Sequence, residues 1–260
     1  MNLLLFNEGD YMKKNKKLKI FITSLLCFAV ICCTGFGIYV SDYYRANDTA
    51  LEATFSDNDV TVIEKNGDYM VFTPEKPKCG LVFYPGGKVE YTAYAPLMKA
   101  LAREGFFCVL VKMPFNLAVF DMGAAEDIIA EYTNIDEWYV GGHSLGGAMA
   151  ASYASKNADK LEGLILLGSY STNDLSDSGL TVFSVIGSED NITFDDTEEV
   201  EKYGDNLPAV DMYYYTIEGG CHAYFGSYGE QEDDGKPTIT PEEQVKQTVE
   251  FIVDNLQKDD

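Results

Sequence analysis

The stretch YVGGHSLGGAMA, residues 139–150, sets one serine, Ser144, inside Gly-x-Ser-x-Gly. An apolar run leads into it and small helix-forming residues follow. A strand that turns into a helix this abruptly leaves no room for side chains beside the turning residue, so the flanking positions require glycine. Gly142 and Gly146 meet that demand, and His143 stands between Gly142 and the serine. Gly147, Ala148, Ala150 and Ala151 let the helix lie close to a sheet. The stretch therefore predicts a nucleophile elbow centred on Ser144, provided the chain also supplies a base, an acid and oxyanion donors in an order one fold can assemble.

The surrounding sequence alternates between apolar runs and helical patterns. VTVIEK (60–65) and YMVFTP (69–74) read as a hairpin around Asn66-Gly67, and GLVFYPGG (80–87) as a strand buried on both faces. TAYAPLMKALAREG (92–105) reads as a helix with Leu97, Leu101 and Ala102 on one face, and FFCVLVKMP (106–114) as a strand stopped by Pro114. A helix is expected over 116–132, a strand over 137–142 and a helix from Ser144 to Asn157. Two apolar runs follow at 161–169 and 180–190, then a helix over 196–207, a strand over 210–219 and a last helix from Pro241 with Thr240 as N-cap. This alternation predicts an α/β fold with a mostly parallel sheet covered by helices on both faces.

Only two histidines occur in the chain. His143 cannot fold back onto the hydroxyl of its own neighbour, so His222, in the loop EGGCHAYFG, is the candidate general base. The group that orients it should lie between Ser144 and His222. Asp190 is favoured, three residues after Gly187 at the end of a buried strand, over the adjacent Glu189 and over Asp195 and Asp196. One oxyanion donor would be the Leu145 N–H at the helix N-terminus. The other is assigned to Gly87 in PGGK, with Lys88 as the neighbouring alternative. The cysteines outside the N-terminal apolar segment, Cys79, Cys108 and Cys221, lack metal-ligand spacing, and no metal or organic cofactor is implied.

The order Ser144, Asp190, His222 resembles that of the α/β-hydrolase superfamily, and more closely its compact bacterial dienelactone-hydrolase-like members (α/β-hydrolase fold-5 type), which carry YPGG as the oxyanion strand and GGHSLGG as the elbow. The resemblance covers residues 58–256. It implies a sheet of eight strands or slightly fewer and an esterase-type activity. Two departures stand out: Tyr84-Pro85 replaces a His-Gly before the oxyanion loop, and Ser144 replaces the cysteine of dienelactone hydrolase, so that enzyme's substrate does not transfer. Only YSTNDLSDSG (170–179) separates two strands where many α/β-hydrolases insert a helical lid. An open, lidless site for a small-molecule or cell-envelope ester is therefore expected.

The N-terminus differs in kind. Lys13, Lys14, Lys16, Lys17 and Lys19 precede 21 uncharged residues, IFITSLLCFAVICCTGFGIYV (20–40), long enough to cross hydrocarbon as a helix. The positive-inside rule places 1–19 in the cytoplasm, 20–40 as a transmembrane signal-anchor, 41–53 as a polar stalk and 54–260 as an extracytoplasmic α/β-hydrolase domain. Secretion after cleavage near GFG (35–37) is the alternative. A formal charge of −23 argues against nucleic acid as a partner and fits a solvated surface. Acidic YGEQEDDG (228–235) reads as part of that surface. Peptidase or acyltransferase chemistry on the same fold, or a catalytically silent surface-binding module, are the rival functions; the oligomeric state is not legible.

Overall fold

The computed structural model describes residues 8–193 and 203–256, and the chain divides into two units, Met1–Asp42 and Tyr43–Asp260. The first is helix α1 (Glu8–Ser41). Within it Lys16–Ser41, 26 residues of mean hydropathy 2.2 with none buried, is long and apolar enough to cross a membrane; a signal sequence has the same character.

The second unit is built on an eight-stranded sheet in the order β1-β2-β4-β3-β5-β6-β7-β8. Its strands are β1 (Val60–Lys65), β2 (Tyr69–Pro74), β3 (Cys79–Tyr84), β4 (Phe106–Val111), β5 (Trp138–His143), β6 (Gly163–Leu167), β7 (Thr181–Gly187) and β8 (Met212–Ile217). Only β2 runs against the others, pairing antiparallel with β1 and β4; every pairing from β4 through β8 is parallel. β3, β4, β5 and β6 are buried along their whole length, which explains why they appear as unbroken apolar runs.

Alternate residues of each strand feed two cores. Leu81 and Phe83 pack with Leu97, Leu101, Val249 and Ile252 on one face, from helices α3 (Ala95–Arg103) and α6 (Pro241–Leu256). Val82 and Tyr84 pack with Ile128, Ala150 and Ala154 on the other, from α4 (Ala124–Glu131) and α5 (Leu145–Asn157). Thr240 caps α6 by accepting the Glu243 N–H at 3.2 Å. No helix interrupts residues 168–180 between β6 and β7. Cys79 and Cys108 are buried free thiols.

Two sequence expectations change. Residues 116–132 do not form one helix: two short 3-10 turns (Pro114–Asn116, Ala118–Phe120) precede α4, and Phe115 and Asn116 have positive φ, which an α-helix cannot continue through. The polar segment 41–53 is not a free stalk. From Tyr44 it pairs with Val89, and helix α2 (Asp48–Ala53), capped by Asn47, buries Ala50 completely. Backbone pairing leaves no periodic signature, so composition alone read it as solvated. The expected helix over 196–207 lies largely outside the described residues.

Candidate active site

The sheet brings the expected site residues to the C-terminal ends of neighbouring parallel strands, where an open α/β sheet places its ligand crevice. Ser144 follows β5, Gly87 lies beyond β3, Asp190 beyond β7 and His222 beyond β8. Ser144 has φ 52° and ψ −126°, a strained conformation that lifts its side chain out of the turn. The glycines permit it. A Cβ on Gly142 would stand 2.5 Å from the Gly146 carbonyl carbon and 2.6 Å from Tyr84 O, and one on Gly146 would overlap the Tyr84 and Pro85 carbonyl oxygens. Ser144 N–H donates to Leu167 O at 3.0 Å, and Ser169 Oγ donates to Ser144 O at 2.7 Å, so the elbow is pinned to β6 and the loop after it.

His222 and Asp190 form a buried pair, their side chains 1% and 2% exposed, with Nδ1 3.0 Å from Asp190 Oδ2. Asp190 Oδ1 accepts the N–H groups of Ile192 and Thr193, both at 2.9 Å, and Oδ2 accepts the Thr193 hydroxyl. Burial alone would raise the Asp190 carboxyl, but the His222 hydrogen bond and charge, with the Thr193 bonds, outweigh it and bring its pKa down to about 2. An ionised Asp190 accepts only, so the proton sits on His222 Nδ1 and the Nε2 lone pair is free. Nε2 is buried without a hydrogen-bond partner. Leaving a buried nitrogen unpaired costs about 1–3 kcal/mol, a cost that makes sense where the nitrogen must take a proton. Ser144, Leu145, Gly168, Thr193 and His222 line one cavity of about 220 Å³.

Gly87 and Leu145 are adjacent: a Cβ on Gly87 would lie 2.9 Å from Leu145 Cδ2. Neither N–H donates to any described residue. The loop before them is held by Gly86, whose N–H donates to the Tyr94 hydroxyl at 3.1 Å; that hydroxyl is hydrogen-bonded in turn to His143 Nδ1 at 2.7 Å. His143 itself is buried. Burial, and after it the neighbouring His222 ring, hold its pKa well below the usual histidine range. The two imidazoles lie 4.4 Å apart between centroids. A neutral His143 places no second cation beside the His222 ring.

Composition hid the groups that hold His222. Asp234, in the loop expected to be a solvated surface, accepts the N–H of His222 at 3.2 Å and of Ala223 at 2.8 Å. Buried Gln244 on α6 accepts the Cys221 N–H at 3.0 Å and donates to Cys221 O at 2.8 Å. Gly168, with φ +47°, roofs the pair: a Cβ there would stand 3.0 Å from His222 Nδ1 and 3.2 Å from Asp190 Oδ2. Gly168→Ala is therefore expected to push the imidazole off Asp190 and slow turnover about a hundredfold with the domain still folded, as initial rates and circular dichroism on the same sample would report. Among the described residues, no cluster of three or more histidine, cysteine or acidic side chains could hold a metal ion.

A mostly parallel eight-stranded sheet with a serine on a strained turn after its central strand defines an α/β-hydrolase fold. The chain belongs to the alpha/beta hydrolase family, whose model matches residues 80–246. No curated protein matches it in sequence. Among solved structures, TT1662 from Thermus thermophilus is similar at TM-score 0.56 and 14% identity, over 76% of this chain and 98% of that one. A soluble variant of monoglyceride lipase from Saccharomyces cerevisiae, solved with a substrate analog, aligns at TM-score 0.54 and 12% identity, over 79% and 97%. Est1E from Butyrivibrio proteoclasticus aligns at TM-score 0.50 and 15% identity, over 77% and 100%. At these identities the likeness is one of fold.

Proposed function

We propose that the protein is a serine hydrolase of carboxylic esters, held at the membrane by α1 with the catalytic domain outside the cytoplasm. Ser144 Oγ attacks the ester carbonyl while His222 Nε2 takes its proton, and the oxyanion receives the N–H groups of Leu145 and Gly87. Collapse expels the alcohol, which leaves with the proton from His222. Water then repeats the sequence on the acyl-Ser144 and releases the acid. Asp190 keeps the imidazole in the tautomer both steps need.

One observation carries this reading: the Asp190–His222 pair presents an unpartnered Nε2 in the same cavity as a serine held at positive φ. The lysines ahead of the apolar helix support the orientation. The test is a fluorophosphonate applied to the full-length protein in detergent, with the adduct located by peptide mass. An adduct on Ser144 that requires His222 supports the hydrolase; folded protein that takes no label points to a silent binding module. Recovery of residues 20–40 in the membrane-bound protein tests the anchor, since cleavage would remove them.

A further inference from the structure

The segment just after α1 is bonded to both loops that complete the candidate site. On one side, Tyr44 N–H donates to Lys88 O at 2.8 Å and Tyr44 O accepts the Glu90 N–H at 2.9 Å, bracketing Val89; the Ala46 N–H donates to the Glu90 carboxylate at 3.0 Å. On the other, the Tyr44 hydroxyl accepts the Glu232 N–H at 3.2 Å, its ring lies 5.4 Å from that of Tyr228, and Asn47 N–H donates to Ser227 O at 2.9 Å. Residues 44–47 thus join the loop that carries Gly87 to the loop that carries His222.

The contact falls where the backbone most needs support. Lys88, next to Gly87, has φ +58°. A non-glycine residue stays in that region only where its surroundings over-determine it. Here the Lys88 N–H donates to Asn116 O at 2.8 Å, Tyr44 holds the Lys88 carbonyl, and the Val89 N–H returns to Gly86 O at 3.3 Å. The bonds to Gly86 O and from Lys88 N–H hold the two peptides flanking Gly87, and Tyr44 holds the next one, Lys88–Val89, whose N–H makes the first of them; together they set the direction of the Gly87 N–H. An oxyanion donor works only within a few tenths of an ångström of its intended place, and a misplacement of about 1 Å can cost a hundredfold in rate.

We infer that Tyr44 is a positioning residue for catalysis, a strap that sets the Gly87 N–H and His222 at a fixed separation. This rests on the hydrolase reading above. Tyr44→Pro removes the N–H that holds Lys88 O, and Tyr44→Ala removes the ring and hydroxyl that hold the His222 loop. Full-length wild type and variants in detergent would be compared by amide hydrogen exchange and by hydrolysis of p-nitrophenyl acetate. In both variants exchange should quicken about tenfold across 85–90 and 222–235 while the helices stay protected. The kcat should fall about tenfold to a hundredfold with KM nearly unchanged. Tyr44→Phe, which keeps main chain and ring, should restore most of the rate.

Faster exchange confined to 43–47 with kcat within about twofold of wild type would reduce the segment to a tether and overturn the inference. Loosening spread over the whole domain, with a matching fall in Tm, would also overturn it by making Tyr44 a general packing residue. Should the wild type take no fluorophosphonate at Ser144, the hydrolase reading fails, and the exchange pattern still decides whether Tyr44 couples the two loops.

Discussion

Replacing Ser144 with alanine is expected to lower kcat for a soluble ester about 10⁵- to 10⁶-fold, with KM close to wild type and the fold intact. The substitution removes one oxygen and keeps the β-carbon, so the turn at φ 52° retains its bonds through Ser144 N to Leu167 O and Ser144 O to Ser169 Oγ. What disappears is the atom proposed to form the acyl-enzyme. The Leu145 and Gly87 amides remain, and they leave a residual acceleration over water. His222→Ala should cost nearly as much as Ser144→Ala. The double variant should cost little more than either, because an imidazole with no serine to deprotonate has lost its task. Initial rates on the four proteins decide the matter: a Ser144→Ala variant within about tenfold of wild type would remove Ser144 from the chemistry.

Asp190→Asn is expected to lower kcat about 10⁴-fold. The amide that replaces the carboxylate can turn its NH₂ toward His222 Nδ1, and the imidazole then carries its proton on Nε2, where it cannot accept the serine's. The same substitution has a signature in stability. The Asp190 carboxyl ionises near 2 in the folded protein, below its value in an unfolded chain. Its carboxylate therefore stabilises the fold at pH above about 4, and this contribution, about 2 kcal/mol, is lost as pH falls through 2. Other carboxylates titrate in the same range, Asp57 among them, so the informative quantity is a difference. Urea unfolding at pH 6 and at pH 2.5 should show wild type losing more stability than Asp190→Asn; equal losses would mean that the Asp190–His222 bond is not made in solution.

The elbow was legible because its requirements are local: a strained serine needs glycine on both sides within five consecutive residues, and Gly142 and Gly146 stand there. The central strands were legible because burial on both faces leaves no polar position. The chain order Ser144, Asp190, His222 carried the rest of the candidate site. The supports for that site were less visible, for a physical reason in each case. Tyr44 and Asp234 act through main-chain N–H and C=O groups of distant residues, which no side-chain pattern records. Tyr94 was read only as part of a helix, yet its hydroxyl joins the Gly86 amide to His143. Gly168 passed as the end of an apolar run, whereas its absent side chain is what leaves room for the Asp190–His222 bond. Thr193 had a local signal: an aspartate with threonine three residues on is a capping arrangement, and Asp190 accepts both the Thr193 N–H and its hydroxyl.

The bond between the Tyr44 hydroxyl and the Glu232 N–H spans 188 residues of chain. During synthesis Tyr44 is made early, while Glu232 and the His222 loop come only after the last strand. Contacts this distant in sequence form late, because the intervening chain must be ordered before its ends can meet. A nascent chain that has already made its elbow, with Ser144 in place, still lacks both the base and the partner that the strap awaits. On the hydrolase reading, the protein therefore passes through synthesis incomplete, until the segment that follows its N-terminal helix meets the loop that carries His222.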